Sequence, residues 1–395
     1  MSEPSVLVVG GGIGGLAVAL AVAQRGRTVR VLEKAAEFGE IGAGLQLAPN
    51  ASRALERLGI LDALARHAVF PQHLVWMDAL AGTRLCELDL GQPFVERYGY
   101  PYVVMHRTDL LAELLSAARA HERITLETGK ELVEVDADDE LVRVRCADGT
   151  TARGELLVGA DGLWSTVRSF VVDDGAPICS EYVAYRGAIP IGEMSTHAGL
   201  DNVVFWTGPD KHLVQYPVRR GELYNQVAVF RSHRYRPGTD DWGTAEELER
   251  AFGGTTAPVR AALTKIRRNR RWPMYDRLPI DHWSRGRVTL LGDAAHPMLQ
   301  YLAQGACQAL EDAVALADAL SDNRTVEGAL HAYEQVRVAR TARVQTTARA
   351  WGAFWHVHPD DQPARDAHLV DRSPRDYNEL DWLYGATAPA SATVA

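Results

Sequence analysis

From Val6 to Gln24 the chain reads Val-Leu-Val-Val-Gly10-Gly-Gly12-Ile-Gly14-Gly15-Leu-Ala-Val-Ala-Leu-Ala-Val-Ala-Gln. A short apolar run, a cluster of glycines and a longer small-apolar run predict a buried strand, a tight turn and a helix. Gly10, Gly12 and Gly15 stand at GxGxxG spacing. The first permits the turn, the second lets backbone approach a pyrophosphate, and the third lets helix and strand pack closely. The helix N-terminus then offers unpaired N–H groups and a positive dipole end to that pyrophosphate. Thr28-Val-Arg-Val-Leu32 reads as a second strand, and Glu33 follows at its carboxyl end, where an acid can accept both hydroxyl protons of a ribose. The unit is a βαβ fold for an ADP group.

After Glu33 comes the glycine-rich loop Glu37-Phe-Gly-Glu40-Ile-Gly42-Ala-Gly44-Leu-Gln46, read as letting backbone approach the same ligand, with Gln46 at its end. Residues 69–99 show short alternating apolar stretches that suit strands of a second sheet. Arg107 is expected just before a helix started by Thr108 and Asp109, where a guanidinium can hold a phosphate by a forked contact or simply pair with a surface acid. Residues 124–154 read as strands, with Asp148-Gly149 a hairpin tip. A further apolar strand ends in Gly159-Ala-Asp161-Gly162, suited to close approach to a ligand or to a tight strand-to-helix turn.

Residues 182–283 break the α/β rhythm. Val203 to Phe230 reads as three antiparallel strands, an inserted sheet on which His212, Val214 and Tyr216 share one face and Leu213 and Gln215 the other. Strand signals return with Val288-Thr-Leu-Leu-Gly292-Asp293-Ala-Ala-His296-Pro297, then Gln300, Gly305 and Ala306, a helix from about Cys307 to Leu320, and helical pattern through Ala350. His296 is read as serving the turn, and Tyr185 and Tyr301 as packing. Trp351, Trp355 and Trp382 are placed in a looser tail that packs across the body or a second subunit.

Composition narrows the class. A net charge of -9 argues against nucleic acid as main partner. The basic run Lys265-Ile-Arg-Arg-Asn-Arg-Arg271 is read as a solvated helix face. The four cysteines show neither CxxC nor metal spacing, so no metal site is expected and reduced thiols in the cytoplasm are. The apolar N-terminus is broken by glycines and Gln24, unlike a secretory signal, and no run approaches membrane-span length.

The glycine fingerprint, the Asp161-Gly162 strand end and Gly292-Asp293-Ala-Ala-His-Pro, in that order around an inserted sheet, resemble the single-component FAD-dependent aromatic hydroxylases. Ala184-Tyr-Arg-Gly187, Gly208 to Tyr216, Asn225 to Phe230, Arg271 to Arg277 and Pro297 to Leu302 extend the resemblance over nearly the whole chain, toward the 3-hydroxybenzoate 6-hydroxylases. It implies an α/β fold: a Rossmann-like FAD-binding domain of the p-hydroxybenzoate hydroxylase type (1–70, 100–180 and 280–345), an antiparallel-sheet substrate domain (71–99 and 181–279) and a helical C-terminal segment (346–395). Gly10, Gly12, Gly14, Gly15 and Glu33 would hold the ADP half, Arg107 the pyrophosphate region and Asp293 the ribityl chain. Asp161 and Gly162 would position the flavin. Gly305 and Ala306 would aim helix N–H groups at the flavin edge that turns anionic on reduction.

The resemblance further implies tightly bound FAD, with NADH or NADPH as a transient co-substrate lacking its own Rossmann domain. Molecular oxygen would react through a C4a-hydroperoxyflavin, and the protein would form a homodimer. Hydroxylation para to the phenol of 3-hydroxybenzoate would give gentisate. His212 is expected to take the phenolic proton as an imidazole near its working pH, Tyr216 to hold the substrate and Gln300 to bond the phenolic oxygen. Salicylate hydroxylases usually carry proline where this chain has Gln300. A salicylate or hydroxynicotinate hydroxylase, and an FAD protein that only reduces or senses, remain alternatives. No arginine is assigned to the substrate carboxylate.

Overall fold

In the computed structural model, which describes residues 5–39, 43–194 and 200–385, two large sheets face a common cleft. One is a six-stranded sheet in which Val29–Leu32, Val6–Val9, Leu156–Gly159 and Val288–Leu290 lie side by side, all parallel. Val6, Leu7 and Val8 have no exposed surface, as a parallel strand covered on both faces requires. The covers are helix Ile13–Ala23, almost wholly buried, and its neighbours Arg107–Ala120 and Gly305–Asp322. Because the four strands run the same way, Glu33, the Gly10 turn, Asp161 and Asp293 all follow carboxyl ends and line up along one edge. That edge is where open α/β sheets bind ligands.

The second sheet has seven strands. Val203–Gly208, Lys211–Val218 and Leu223–Arg231 form the expected antiparallel run. They are extended by the long strand Ile178–Pro190 and by Trp272–Asp276 on one side. On the other, His73–Asp78 pairs parallel to Val203–Gly208 and carries Arg84–Asp89. Helices Ala245–Phe252 and Ala257–Leu263 cover the back of this sheet with a separate apolar cluster.

Four local expectations are corrected. Within the stretch read as strands, Gln92–Tyr98 is a helix, with a proline in its first turn and Gly99 at φ 82° closing it; both are helix boundary signals. Arg107 is the first residue of its helix, capped by His106 in extended backbone, so the helix starts before Thr108. The basic run 265–271 lies in turns after Ala257–Leu263, not on a helix face. Trp351 and Trp355 belong to the 30-residue helix Val326–Trp355.

The segment that follows packs across the body of this chain. Asp89 N–H donates to Pro374 O, Tyr377 Oη to Asp89 O, and the Arg340 guanidinium to the carbonyls of Trp382 and Leu383.

No helix among the described residues is long and apolar enough to cross a membrane, and no described cluster of His, Cys, Asp and Glu has metal-holding geometry.

Candidate active site

The glycine turn is a cradle that side chains would fill. Gly10 has φ 105°, and a Cβ there would sit 2.3 Å from Ala160 O; a Cβ on Gly15 would sit 1.9 Å from Gly10 O. Neither position admits another residue, the second because helix and strand are in contact through the glycine itself. Gly12 is the cap residue of helix Ile13–Ala23 in extended backbone, with no side chain covering the helix end. Gly14 packs the helix against Leu291, where a Cβ would come within 2.8 Å.

Glu33 accepts from Gly11 N–H (2.6 Å) and Ala35 N–H (2.8 Å), so its carboxylate holds the turn in shape while retaining lone pairs for a ribose. Asp161 caps the helix Thr166–Val171, accepting from Ser165 Oγ and the N–H groups of Thr166 and Val167. Gly162, at φ 80°, makes the turn that allows this.

Asp293 is exposed in a one-turn helix whose neighbours are pinned from behind. Asp312 accepts from Gly292 N–H (3.0 Å) and contacts His296 Nε2 (2.6 Å), and Arg337 Nε donates to its other oxygen (2.6 Å). Burial pushes the Asp312 carboxyl up, but the His296 and Arg337 charges and hydrogen bonds pull it down to about 2. His296 does serve the turn, as the route by which the helix Gly305–Asp322 fixes it.

A cavity of about 920 Å³ connects this edge to the second sheet. Gln46, Arg107, Asp293, Gly305 and Ala306 line it together with His212, Tyr216 and Gln300. The N-terminus of the 18-residue helix Gly305–Asp322 therefore opens onto the cavity, offering N–H groups to an anion. Gly44 lets the preceding loop lie flat on the sheet: its N–H donates to Asn225 Oδ1 (2.7 Å), and a Cβ would meet Tyr216 at 2.5 Å. Gln46 accepts from Tyr102 Oη. Glu40, Ile41 and Gly42 of the same loop lie outside the described residues.

Strand alternation puts His212, Val214 and Tyr216 on the cavity face. Register adds a residue that reading one strand at a time missed. Arg186 opposes Val227, which opposes Val214, then Phe205, then Trp76, so all five share that face. Arg186 Nη2 donates to Gln300 Oε1 (2.6 Å), its guanidinium lies over the Trp272 ring, and its buried Nε has no partner. No carboxylate answers it among the described residues. Burial, then the nearby charge of Arg107, lowers its pKa to about 10. A cation held in this way fits an incoming anion. The signal was an arginine in the middle of an apolar strand, Ala184-Tyr-Arg-Gly187.

Gln300 bridges Arg186 to His212, its Nε2 standing 3.4 Å from His212 Nε2. His212 has no exposed surface, and its Nδ1 lies 2.7 Å from Nε2 of His356, which follows the helix Val326–Trp355. Burial first, then the charges of His356 and Arg186, pushes the His212 imidazole well below its usual range. This corrects the expectation of an imidazole poised near its working pH: the ring is a neutral acceptor, and its protonated form is disfavoured.

Residues 3–348 match the model of the FAD binding domain family. The 3-hydroxybenzoate 6-hydroxylase of Polaromonas naphthalenivorans (strain CJ2) is 40% identical over 382 residues, covering 96% of this chain and 95% of that one. The protein of the same name from Klebsiella oxytoca is 39% identical, covering 96% of each. Among solved structures, Klebsiella pneumoniae HpxO complexed with FAD and uric acid superposes with a TM-score of 0.84 at 27% identity, over 95% of this chain and 94% of that one. The glycine cradle, the acid at the second strand end and the helix aimed into the cavity agree with these likenesses, and the chain belongs to the FAD-binding family of single-component aromatic hydroxylases.

Proposed function

We propose that this enzyme hydroxylates 3-hydroxybenzoate para to its hydroxyl, giving gentisate, with NADH as reductant. The observation that carries the reading is the row Arg186–Gln300–His212 on the wall of a cavity that is also lined by Asp293 and Gly305 of the nucleotide edge. It presents a cation and a neutral proton acceptor on either side of one amide, which suits a ring with a carboxylate meta to a phenol. The names of the relatives support the same substrate.

Bound FAD would supply electrophilic oxygen once reduced and exposed to O₂. The cradle of Gly10, Gly12, Gly14 and Gly15 would hold its diphosphate with Arg107, and Glu33 its ribose. Asp293 would hold the ribityl chain, with Asp161 and Gly162 shaping the turn beside it and Gly305 and Ala306 directing helix N–H groups at the ring. Arg186 takes the substrate carboxylate by charge-assisted hydrogen bonds. His212 Nε2 accepts the phenolic proton, which moves electron density onto the ring carbons ortho and para to oxygen. Gln300 and Tyr216 fix which of those carbons faces the flavin. The apolar wall, Trp76, Phe205 and Trp355, excludes water.

The reading keeps the division into a discontinuous nucleotide domain, an inserted sheet domain and a C-terminal segment. It places the protein in the cytoplasm, supported by four unpaired thiols. It also makes the protein a homodimer, supported by exposed Trp164 leaning on Tyr275. The test is the product formed from 3-hydroxybenzoate with NADH under air. Coupled formation of gentisate is expected. Catechol from salicylate at higher kcat/KM, or NADH oxidation that yields only peroxide, would overturn the reading.

A further inference from the structure

Resting on that reading, we propose that His212 and His356 form a two-imidazole proton wire that carries the phenolic proton away from the cavity. His212 makes one contact on each ring nitrogen: Gln300 on the cavity side at Nε2, and His356 Nε2 at 2.7 Å on the far side at Nδ1. His212 is wholly buried, whereas His356 keeps 7% of its surface. The pair thus runs from the substrate wall toward solvent. The second ring is held in place: it stacks on Tyr182 at 4.6 Å and 14°, and Tyr182 Oη donates to Asp210 Oδ1. The helix before it is pressed onto the turn that carries Gln300, for a Cβ on Gly352 would meet the Tyr301 ring.

Electrostatics favour passage over storage. Arg186 faces His212, and Lys211 and Arg365 stand near His356. Burial, then these cations, lowers His356 to about 3. The acids nearby are engaged elsewhere, Asp210 with Tyr182 and Asp276 with Arg349. A proton resting on either ring is therefore disfavoured, so an isolated His212 makes a poor final acceptor.

Two neutral rings avoid that state by exchanging tautomers. The phenol O–H breaks as His212 Nε2–H forms. His212 Nδ1–H breaks as His356 Nε2–H forms, and His356 Nδ1–H gives its proton to water or buffer. The added negative charge then resides on the phenolate and neither imidazole becomes charged, while Arg186 holds the carboxylate and His212 Nε2–H donates to the new anion. His356 is a positioning and relay residue; it does not touch substrate.

The test uses oxidised holoenzyme and 3-hydroxybenzoate, without turnover. Rapid mixing follows the phenolate band in the near ultraviolet and proton release to an indicator dye. His356→Gln keeps a hydrogen bond to His212 but cannot pass a proton, and His356→Phe keeps the stack on Tyr182; flavin retention reports folding in both. Phenolate formation should slow roughly tenfold or more in each variant. In a third variant, His356→Ala, which empties the volume of the ring, added imidazole should restore it. Wild-type rates in His356→Gln, with a wild-type response to buffer concentration, would overturn the wire. His212→Ala separates the layers: if it forms phenolate at the wild-type rate, the base assignment falls and the wire with it, whereas wild-type behaviour of the His356 variants alone removes only the wire.

Discussion

The nucleotide edge and the substrate wall use the chain in opposite ways. At the nucleotide edge, function is carried by backbone: glycines that no side chain can replace and strand ends brought level by parallel pairing. At the proposed substrate wall it would be carried by side chains from Ile178–Pro190, Lys211–Val218, the turn at Gln300 and the end of Val326–Trp355. A backbone site is local in sequence and intolerant of any added atom. A side-chain site is assembled from afar and gives way one function at a time.

The sharpest break of this contrast is at Gly15. Gly15→Val places atoms inside van der Waals contact with Gly10 O, and neither the strand nor the helix can move without opening the sheet. The expected outcome is loss of FAD and of soluble protein together. A yellow, folded Gly15→Val variant would show that the cradle is not set by backbone contact.

On the substrate wall the expected failures are selective. His212→Ala should keep FAD while coupled hydroxylation falls by about two to four orders of magnitude, read as product per NADH consumed. Unchanged coupling would break the assignment. Arg186→Met keeps volume but removes the charge, and the loss of a charge-assisted bond, about 1.5–3 kcal/mol, predicts a KM for the acid raised roughly ten- to a hundredfold with FAD affinity unaltered. An unmoved KM would place the carboxylate elsewhere. If instead His212→Ala or Arg186→Met lost FAD, the two regions would not be separable in the way described.

How much of this was legible follows the same division. Glu33, the Gly10 turn, Asp161 and Asp293 were readable because each follows an apolar strand, and parallel strands put their ends on one edge. What could not be read was that Glu33 also braces Gly11, or that Asp161 caps a helix, since both depend on side-chain rotamers. On the wall, alternation alone placed His212 and Tyr216 correctly. Arg186 needed the register across three strands, and His356 lies 144 residues from its partner in a segment expected to be loose tail. Its helix continues because nothing after Ala350 breaks it: Trp351, Phe354 and Trp355 bury against Trp76.

The smallest expected effect tests where the two regions are joined. Asp312 links the turn bearing Asp293 to helix Val326–Trp355 through His296 and Arg337, and its carboxyl sits at about 2 in the folded protein against 3.8 when free. A depressed folded value contributes stability that is complete above the unfolded value and disappears as pH falls through the folded one. Its share, on the order of 2 kcal/mol, should therefore be intact at pH 6 and drain away between roughly pH 4 and pH 2. Asp312→Asn removes that pH dependence but leaves Arg337 facing a neutral amide, so it should lower the melting temperature at pH 6 and flatten its acid limb. Flavin release should follow the loss of this link, which holds the turn bearing Asp293 together with buried Arg168, whose guanidinium donates to Ala294 O and Ala295 O. Should Asp312→Asn melt with the wild-type acid slope, the link is not what ties the cofactor edge to the helix that carries the substrate wall.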